Sequence, residues 1–306
     1  MSSIAGAIAP IFMVIILGVV LRRVGFLPDN FVRPANNLVY WVGIPAMIFL
    51  AVAHTSFSAA FNPLVALATL LPVVIAMGMG LLAAKLMRLS APETGTFTQS
   101  SFHGNVGYVG LAVAFYFLGD KGFAQASILA GFLILIQNFL AVEVLTAFQE
   151  HKPGRKWSNL IRPIALHPAI LATLAGMIFS LSGIRVPEIL ERWLSIVKGM
   201  ALPMALLIIG ASLSPTRMKR GLRLALTSGC IKLILEPAAG LGLATLLGLA
   251  IDQYLPGFVT IATPTATFTY VMAVGMSGDP DQASAAISIS TLLSGVTYTL
   301  WLGLLT

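Results

Sequence analysis

Ten apolar stretches follow one another along this chain, and the polar intervals between them are too short to fold by themselves. Inside a bilayer there is no water to satisfy a backbone N–H or C=O, so each stretch must bond its own backbone as a helix wherever lipid surrounds it. The stretches fall at about 4–21, 36–53, 64–87, 98–118, 123–148, 162–181, 194–213, 222–249, 256–276 and 282–304, lengths suited to crossing a hydrocarbon layer about 30 Å thick. The residues are 58% hydrophobic and only 9% charged, whereas a soluble domain carries about 25% charged residues. The expected fold class is an all-α polytopic membrane protein of ten transmembrane helices.

The charge distribution supports that reading and sets an orientation. A net charge of +7 and a pI of about 9.8 do not point to nucleic acid here, because the bases sit in short clusters between apolar runs. Of the 18 Lys and Arg, thirteen fall on one side, in loops 1–2, 3–4, 5–6 and 7–8, and four on the other; Lys232 lies within a helix. Basic loops stay in the cytoplasm, so both termini are expected to be extracytoplasmic, in the cell (inner) membrane. Loop 9–10 is the exception, with Asp279 and Asp281 and no base. Arg22 and Arg23 follow the first apolar run rather than preceding it, the order of a spanning helix rather than a cleaved leader. One cysteine, Cys230, allows no disulfide or cysteine metal site within one chain.

An internal repeat organises the chain. Pro10 and Pro168, Gly18 and Gly176, Gly25 and Gly183, and Pro45 and Pro203 are each 158 residues apart. Pro28 and Pro187, and the Gly119-Asp120 and Gly278-Asp279 pairs, are 159 apart. The halves are 1–148 and 162–306, joined by a cytoplasmic connector at 149–161. Five helices in each half is an odd number, so the second half enters from the opposite face: a 5+5 inverted repeat.

The repeat pairs two interruptions. In the fourth stretch, His103-Gly104-Asn105-Val106-Gly107 places two glycines around an amide, a poor setting for continuous helix. Its counterpart at an offset of 159 is Thr263-Pro264-Thr265-Ala266-Thr267 in the ninth, where proline removes a helix N–H. Taken singly, either is a packing face or a kink. Together, in inverted halves, they predict crossed discontinuous helices 4 and 9 with a substrate site at the bilayer midplane. Two half-helix N-termini would offer unpaired N–H groups to an anion, above all a carboxylate. The candidate binding residues are Gly104, Asn105, Gly107 and Tyr108 on one side and Thr263, Pro264, Thr265 and Thr267 on the other. His103 and Asn138 join them, although His103 reads first as a neutral packed histidine bonded to a carbonyl. Lys232 and Glu236, four apart on helix 8, form either a structural ion pair or a coupling site. No enzymatic constellation, phosphate loop or cofactor motif is present, so a non-enzyme is expected.

The run Gly104-Asn105-Val106-Gly107-Tyr108-Val109-Gly110-Leu111 resembles the Asn-x-Gly-x-x-Gly crossover of the auxin efflux carrier family and its bacterial members. Lys232 to Pro237 is similar to that family's helix 8. Gly278-Asp279 through Ala285-Ala286, then Ser290-Thr291-Leu292-Leu293-Ser294, is similar to its last helix. The second crossover departs from the pattern, with Thr-Pro-Thr. The resemblance implies a bile-acid-transporter-like fold with a scaffold bundle (helices 1, 2, 6 and 7) and a transport bundle (helices 3–5 and 8–10). It also implies an elevator-type secondary carrier of organic anions such as malonate or malate. No cofactor is expected beyond a coupling ion, H+ or Na+; a sodium site would fall near Gln99, Asn105 and Glu236. The remaining partners are membrane lipid and, through the scaffold helices, a second copy. The competing reading on the same fold is a sodium-coupled symporter of bulkier amphipathic anions; a non-transporting sensor or channel is a third.

Overall fold

A computed structural model describes residues 2–56, 60–149, 166–213 and 221–306. Most of the connector expected at 149–161, and the start expected for the sixth helix at 162, lie outside those residues. Among the described residues every regular element is helical, and seven helices are long and apolar enough to cross a membrane. A shorter apolar helix, Pro168–Ser182, accompanies them. Large apolar side chains such as Met13, Ile178, Leu246 and Leu304 point outward, the arrangement of a multi-pass protein whose surrounding solvent is lipid.

The helices run in the order α1 (Ser2–Arg23), α2 (Asp29–Leu38), α3 (Ile44–Ala53), α4 (Pro63–Leu86), α5 (Ala91–Phe102) and α6 (Leu111–Ala147). Then come α7 (Pro168–Ser182), α8 (Glu188–Lys198), α9 (Ala201–Ser212), α10 (Leu222–Cys230), α11 (Glu236–Leu246), α12 (Ile251–Ile261), α13 (Phe268–Gly275) and α14 (Pro280–Leu305). Several boundaries differ from expectation, because apolar runs mark the hydrocarbon and helices extend beyond it to their caps. The second helix starts at Asp29 rather than 36, the fourth at Ala91 rather than 98, the seventh at Glu188 rather than 194, and the ninth at Ile251 rather than 256. Asp279, out of place as a topology signal, is the N-cap of α14; its carboxylate accepts from the amides of Asp281 and Gln282. Glu93 accepts from the Ser90 amide at 2.9 Å at the start of α5.

Three joins between helices are wide π turns, one at Val106–Gly110 before α6 and two others, Val39–Gly43 before α3 and Ile231–Leu235 before α11. The latter two share a cause. Each is followed two residues later by a proline, Pro45 and Pro237. Proline cannot bond the carbonyl four residues back, and the helix widens to re-register around the gap. For Pro237 that carbonyl is Leu233, and the Trp301 indole donates to it at 2.9 Å instead. α6 bends at Gly119, whose φ of 66° is in the left-handed region that favours glycine.

Two helix pairs pack without room for a side chain. α1 crosses α9: a Cβ on Gly18 would overlap the carbonyl oxygen of Leu207, and one on Gly210 would overlap that of Ile15. α3 crosses α7, where a Cβ on Gly176 would lie 3.0 Å from the Phe49 carbonyl oxygen. Phe49 and Leu207 are 158 residues apart, as are Gly18 and Gly176, so the two crossings use the same contact twice. Gly43 meets Ala201, its own counterpart at that offset, with a Cβ approach of 3.2 Å. On the other side α4 packs on α5, α11 and α12, and α10 on α14 and α5. α6 touches both groups: α1, α3 and α7 on one flank, α5 and α12 on the other.

Overpacking a tight crossing costs about 1–3 kcal/mol. Gly210→Ala should therefore lower the thermal midpoint of the detergent-solubilised protein clearly. Gly78→Ala, where a Cβ meets nothing within 4 Å, should leave it within error; equal midpoints for the two variants would contradict the crossing.

Candidate functional site

The backbone breaks twice, in places that meet. α5 ends with the His103 amide bonded to the Gln99 carbonyl at 2.9 Å, and the chain then runs extended through His103. Helix resumes as a wide turn at Val106–Gly110 that leads into α6. α12 ends at Ile261, and α13 begins only at Phe268. The two extended segments pair antiparallel, with Gly104 opposite Thr265. The Asn105 amide donates to the Pro264 carbonyl at 2.7 Å, and the Ala266 amide to the His103 carbonyl at 2.8 Å. Pro264 has no N–H to give, but here only its carbonyl is needed.

Side chains satisfy what the bridge leaves over. Lys232 Nζ donates to the Ile261 carbonyl at 2.7 Å, placing a cation at the negative C-terminal end of α12. Gln137 Nε2 donates to the Phe102 carbonyl at 3.2 Å, and Thr265 Oγ1 to the Ser100 carbonyl at 3.0 Å, both at the end of α5. Ser290 Oγ accepts from the Thr265 amide at 3.0 Å. Gly104 makes room for this arrangement: a Cβ there would overlap Thr263 Oγ1 and lie 2.9 Å from Lys232 Cε.

A cavity of about 650 Å³ opens against the crossover. Seven of the expected binding residues line it: His103, Gly104, Asn105, Gly107, Tyr108, Asn138 and Thr267. Asn105 Nδ2 is buried and has no hydrogen-bond partner among the described residues. The Gly107 and Tyr108 amides are in the first turn of a helix, where no preceding carbonyl is in register to receive them. Tyr108 OH donates to Asn36 Oδ1 at 2.9 Å, joining the crossover to α2. His103 Nδ1 lies 3.1 Å from Gln99 Nε2; an amide nitrogen can only donate, so Nδ1 is the accepting nitrogen. The Asn138 amide donates back to its own helix, at the Ile134 carbonyl.

Thr263, Pro264 and Thr265 are placed differently. They are buried in the back of the crossover, away from the cavity lining, with Thr263 Oγ1 on the Thr260 carbonyl at 3.2 Å. Lys232 and Glu236 lie behind the crossover too, fully buried, with Nζ 3.0 Å from Oε2. Neither Glu236 oxygen has an aligned hydrogen-bond donor, so charge rather than a directed bond holds the pair. Gln99 Oε1 is likewise buried without a donor. No group of three or more His, Cys, Asp or Glu able to hold a metal occurs among the described residues.

The cavity wall also contains residues that sequence reading did not single out: Arg33, Asn36 and Tyr40 on the second helix, His167 at the N-terminus of α7, and Ser284 on α14. The signal was present. Arg33, Asn36 and Tyr40 recur at three and four residues, one face of a helix, but Arg33 reads first as one of a cluster of cytoplasmic bases.

Comparison with known proteins identifies this architecture. Residues 3–302 match the family model described as membrane transport protein. A protein of Rhizobium meliloti named "Putative malonate transporter" is 29% identical over 98% of this chain and 95% of its own length. Uncharacterized transporters of Methanocaldococcus jannaschii and Methanothermobacter thermautotrophicus are 22% and 23% identical, each over 95% of this chain and 95% of their own lengths. The chain belongs to the membrane transport protein family, in keeping with its resemblance to bacterial auxin efflux carriers, and its relatives are transporters rather than enzymes.

Proposed function

We propose that this protein is a secondary-active carrier of small organic anions, malonate- or malate-like, which binds the substrate carboxylate at the crossover. The observation that carries the reading is a set of donors facing the cavity without protein acceptors: Asn105 Nδ2 and the first-turn amides of Gly107 and Tyr108. A buried donor left unsatisfied costs about 1–3 kcal/mol, and a carboxylate would recover that cost. The relative named for malonate supports the same substrate class.

The proposed architecture is ten spans in two inverted halves, with the two interrupted spans crossing at the bridge. Three pairs support it, each close across the molecule and each related by the repeat offset: Gly43 with Ala201, Gly104 with Thr263, and Asn105 with Pro264. The helices α1, α2, α3, α7, α8 and α9 would form the scaffold, and the rest a bundle that moves as an elevator. The cavity mouth holds Asp29 and Arg33, beside the Arg22 and Arg23 cluster. With both termini extracytoplasmic in an inner membrane, this is an inward-facing state. A second reading, sodium-coupled transport of bulkier amphipathic anions, draws on the buried oxygens of Gln99 and Glu236 that accept no aligned hydrogen bond.

Uptake of radiolabelled malonate into proteoliposomes tests the first reading. Asn105→Ala should reduce uptake about 10- to 100-fold at an unchanged thermal midpoint, and undiminished uptake would reject the site. A sodium gradient that leaves uptake unaltered excludes the second reading. Removing one partner of a buried ion pair costs about 3–5 kcal/mol. Lys232→Met and Glu236→Gln should each destabilise the protein. If the pair is structural, the double variant is more stable than Lys232→Met and regains transport with it, short of the wild type by the Ile261 carbonyl that Lys232 no longer meets; if it couples an ion, stability rises in the same way without gradient-driven uptake.

A further inference from the structure

We infer that Arg33 is the specificity residue of the cavity: it receives the second carboxylate of a short dicarboxylate whose first carboxylate is at the crossover. The inference rests on the carrier reading above and assigns the residue that tells a dicarboxylate from a monocarboxylate.

The placement comes from α2. Arg33 and Asn36 both line the cavity, and Asn36 is bonded to Tyr108 of the crossover at 2.9 Å. Three residues of helix rise about 4.5 Å, so the Arg33 guanidinium is rooted one turn from a contact made by the crossover itself. A ligand held by the Gly107 and Tyr108 amides would have its far end within reach of that side chain. A short dicarboxylate spans that interval, and the cavity's 650 Å³ holds one with space left over.

The charges single out Arg33 further. Apart from tyrosines, four titratable residues line the cavity: Asp29, Arg33, His103 and His167. Asp29 is engaged by Arg22, Nη2 to Oδ1 at 2.7 Å. The His103 Nδ1 is directed to Gln99, and the His167 Nδ1 accepts from the Ala169 amide at 3.3 Å. Arg33 is exposed and its charge acts on Asp29 one helical turn earlier, but no carboxylate of another described residue lies within ion-pair distance of it. A monocarboxylate held at the crossover would leave that guanidinium to water and the field of Asp29, whereas a second carboxylate meets it with the fork geometry that arginine offers and lysine does not.

The test uses the purified full-length protein and two probes with one carbon skeleton: malonate, and its monomethyl ester, which carries a single carboxylate. Isothermal titration of the wild type should show malonate bound at least about tenfold more tightly than the half-ester, the scale of one charge-assisted contact. Arg33→Gln should weaken malonate about tenfold and the half-ester by less than about threefold, removing most of the preference. Arg33→Lys should restore part of it. Asn105→Ala should weaken both probes together. If Arg33→Gln keeps the wild-type preference, weakens both probes equally, or if the wild type shows no preference, the assignment to Arg33 is wrong. If Asn105→Ala leaves both affinities intact while Arg33→Gln removes the preference, the crossover reading fails and the Arg33 contact stands.

Discussion

The structure depends on how two broken helices satisfy their backbone in a place without water. Each break frees carbonyls at the end of one half-helix and amides at the start of the next. Here the breaks solve the problem for each other. The Asn105 amide reaches Pro264, and the Ala266 amide reaches His103. Lys232, Gln137 and Thr265 then take three of the helix-end carbonyls, and Tyr298 and Thr263 take two more on α12. Most of these carbonyls are thus met by protein, while the Gly107 and Tyr108 amides are left at the cavity. Donors left over on the cavity side are what the proposed carboxylate would use.

Close approach makes the arrangement possible. Gly104 allows the Lys232 side chain under the bridge, and Gly110 brings the following turn against Thr263, where a Cβ would be 2.8 Å from Cγ2. The same device, at larger scale, sets the crossings of α1 with α9 and α3 with α7. Glycines there remove the side chain that would hold two helix backbones apart, a common means of association where apolar burial does not separate helix from lipid. These crossings and the crossover are joined by few polar links, the Tyr108–Asn36 hydrogen bond among them. A mobile bundle sliding past a fixed one would have to break that contact, and the cavity lies beside it.

Relatives of this chain span nearly its whole length at 22–29% identity. The likeness thus extends along the whole chain and is not confined to one segment. The cavity is lined on one side by the bridge and on another by the second helix, which brings Asp29, Arg33, Asn36 and Tyr40 to it.

Much of this was legible in the residues alone. Apolar length and low charge determined a helical membrane protein, because lipid tolerates so few backbone arrangements. The glycines around Asn105 and the proline at 264, related by the repeat offset, marked both interruptions. What the sequence could not decide was which side chains face the cavity. Thr263, Pro264 and Thr265 looked as suitable as Thr267, yet the antiparallel bridge turns them into the protein and leaves Thr267 at the wall. Arg33 read as a loop base, because a helix extending past its apolar run carries polar residues that composition assigns to the loop. Its position at the cavity follows from how α2 packs against the crossover, and a contact between residues 72 positions apart, Asn36 and Tyr108, exists only once the chain has folded.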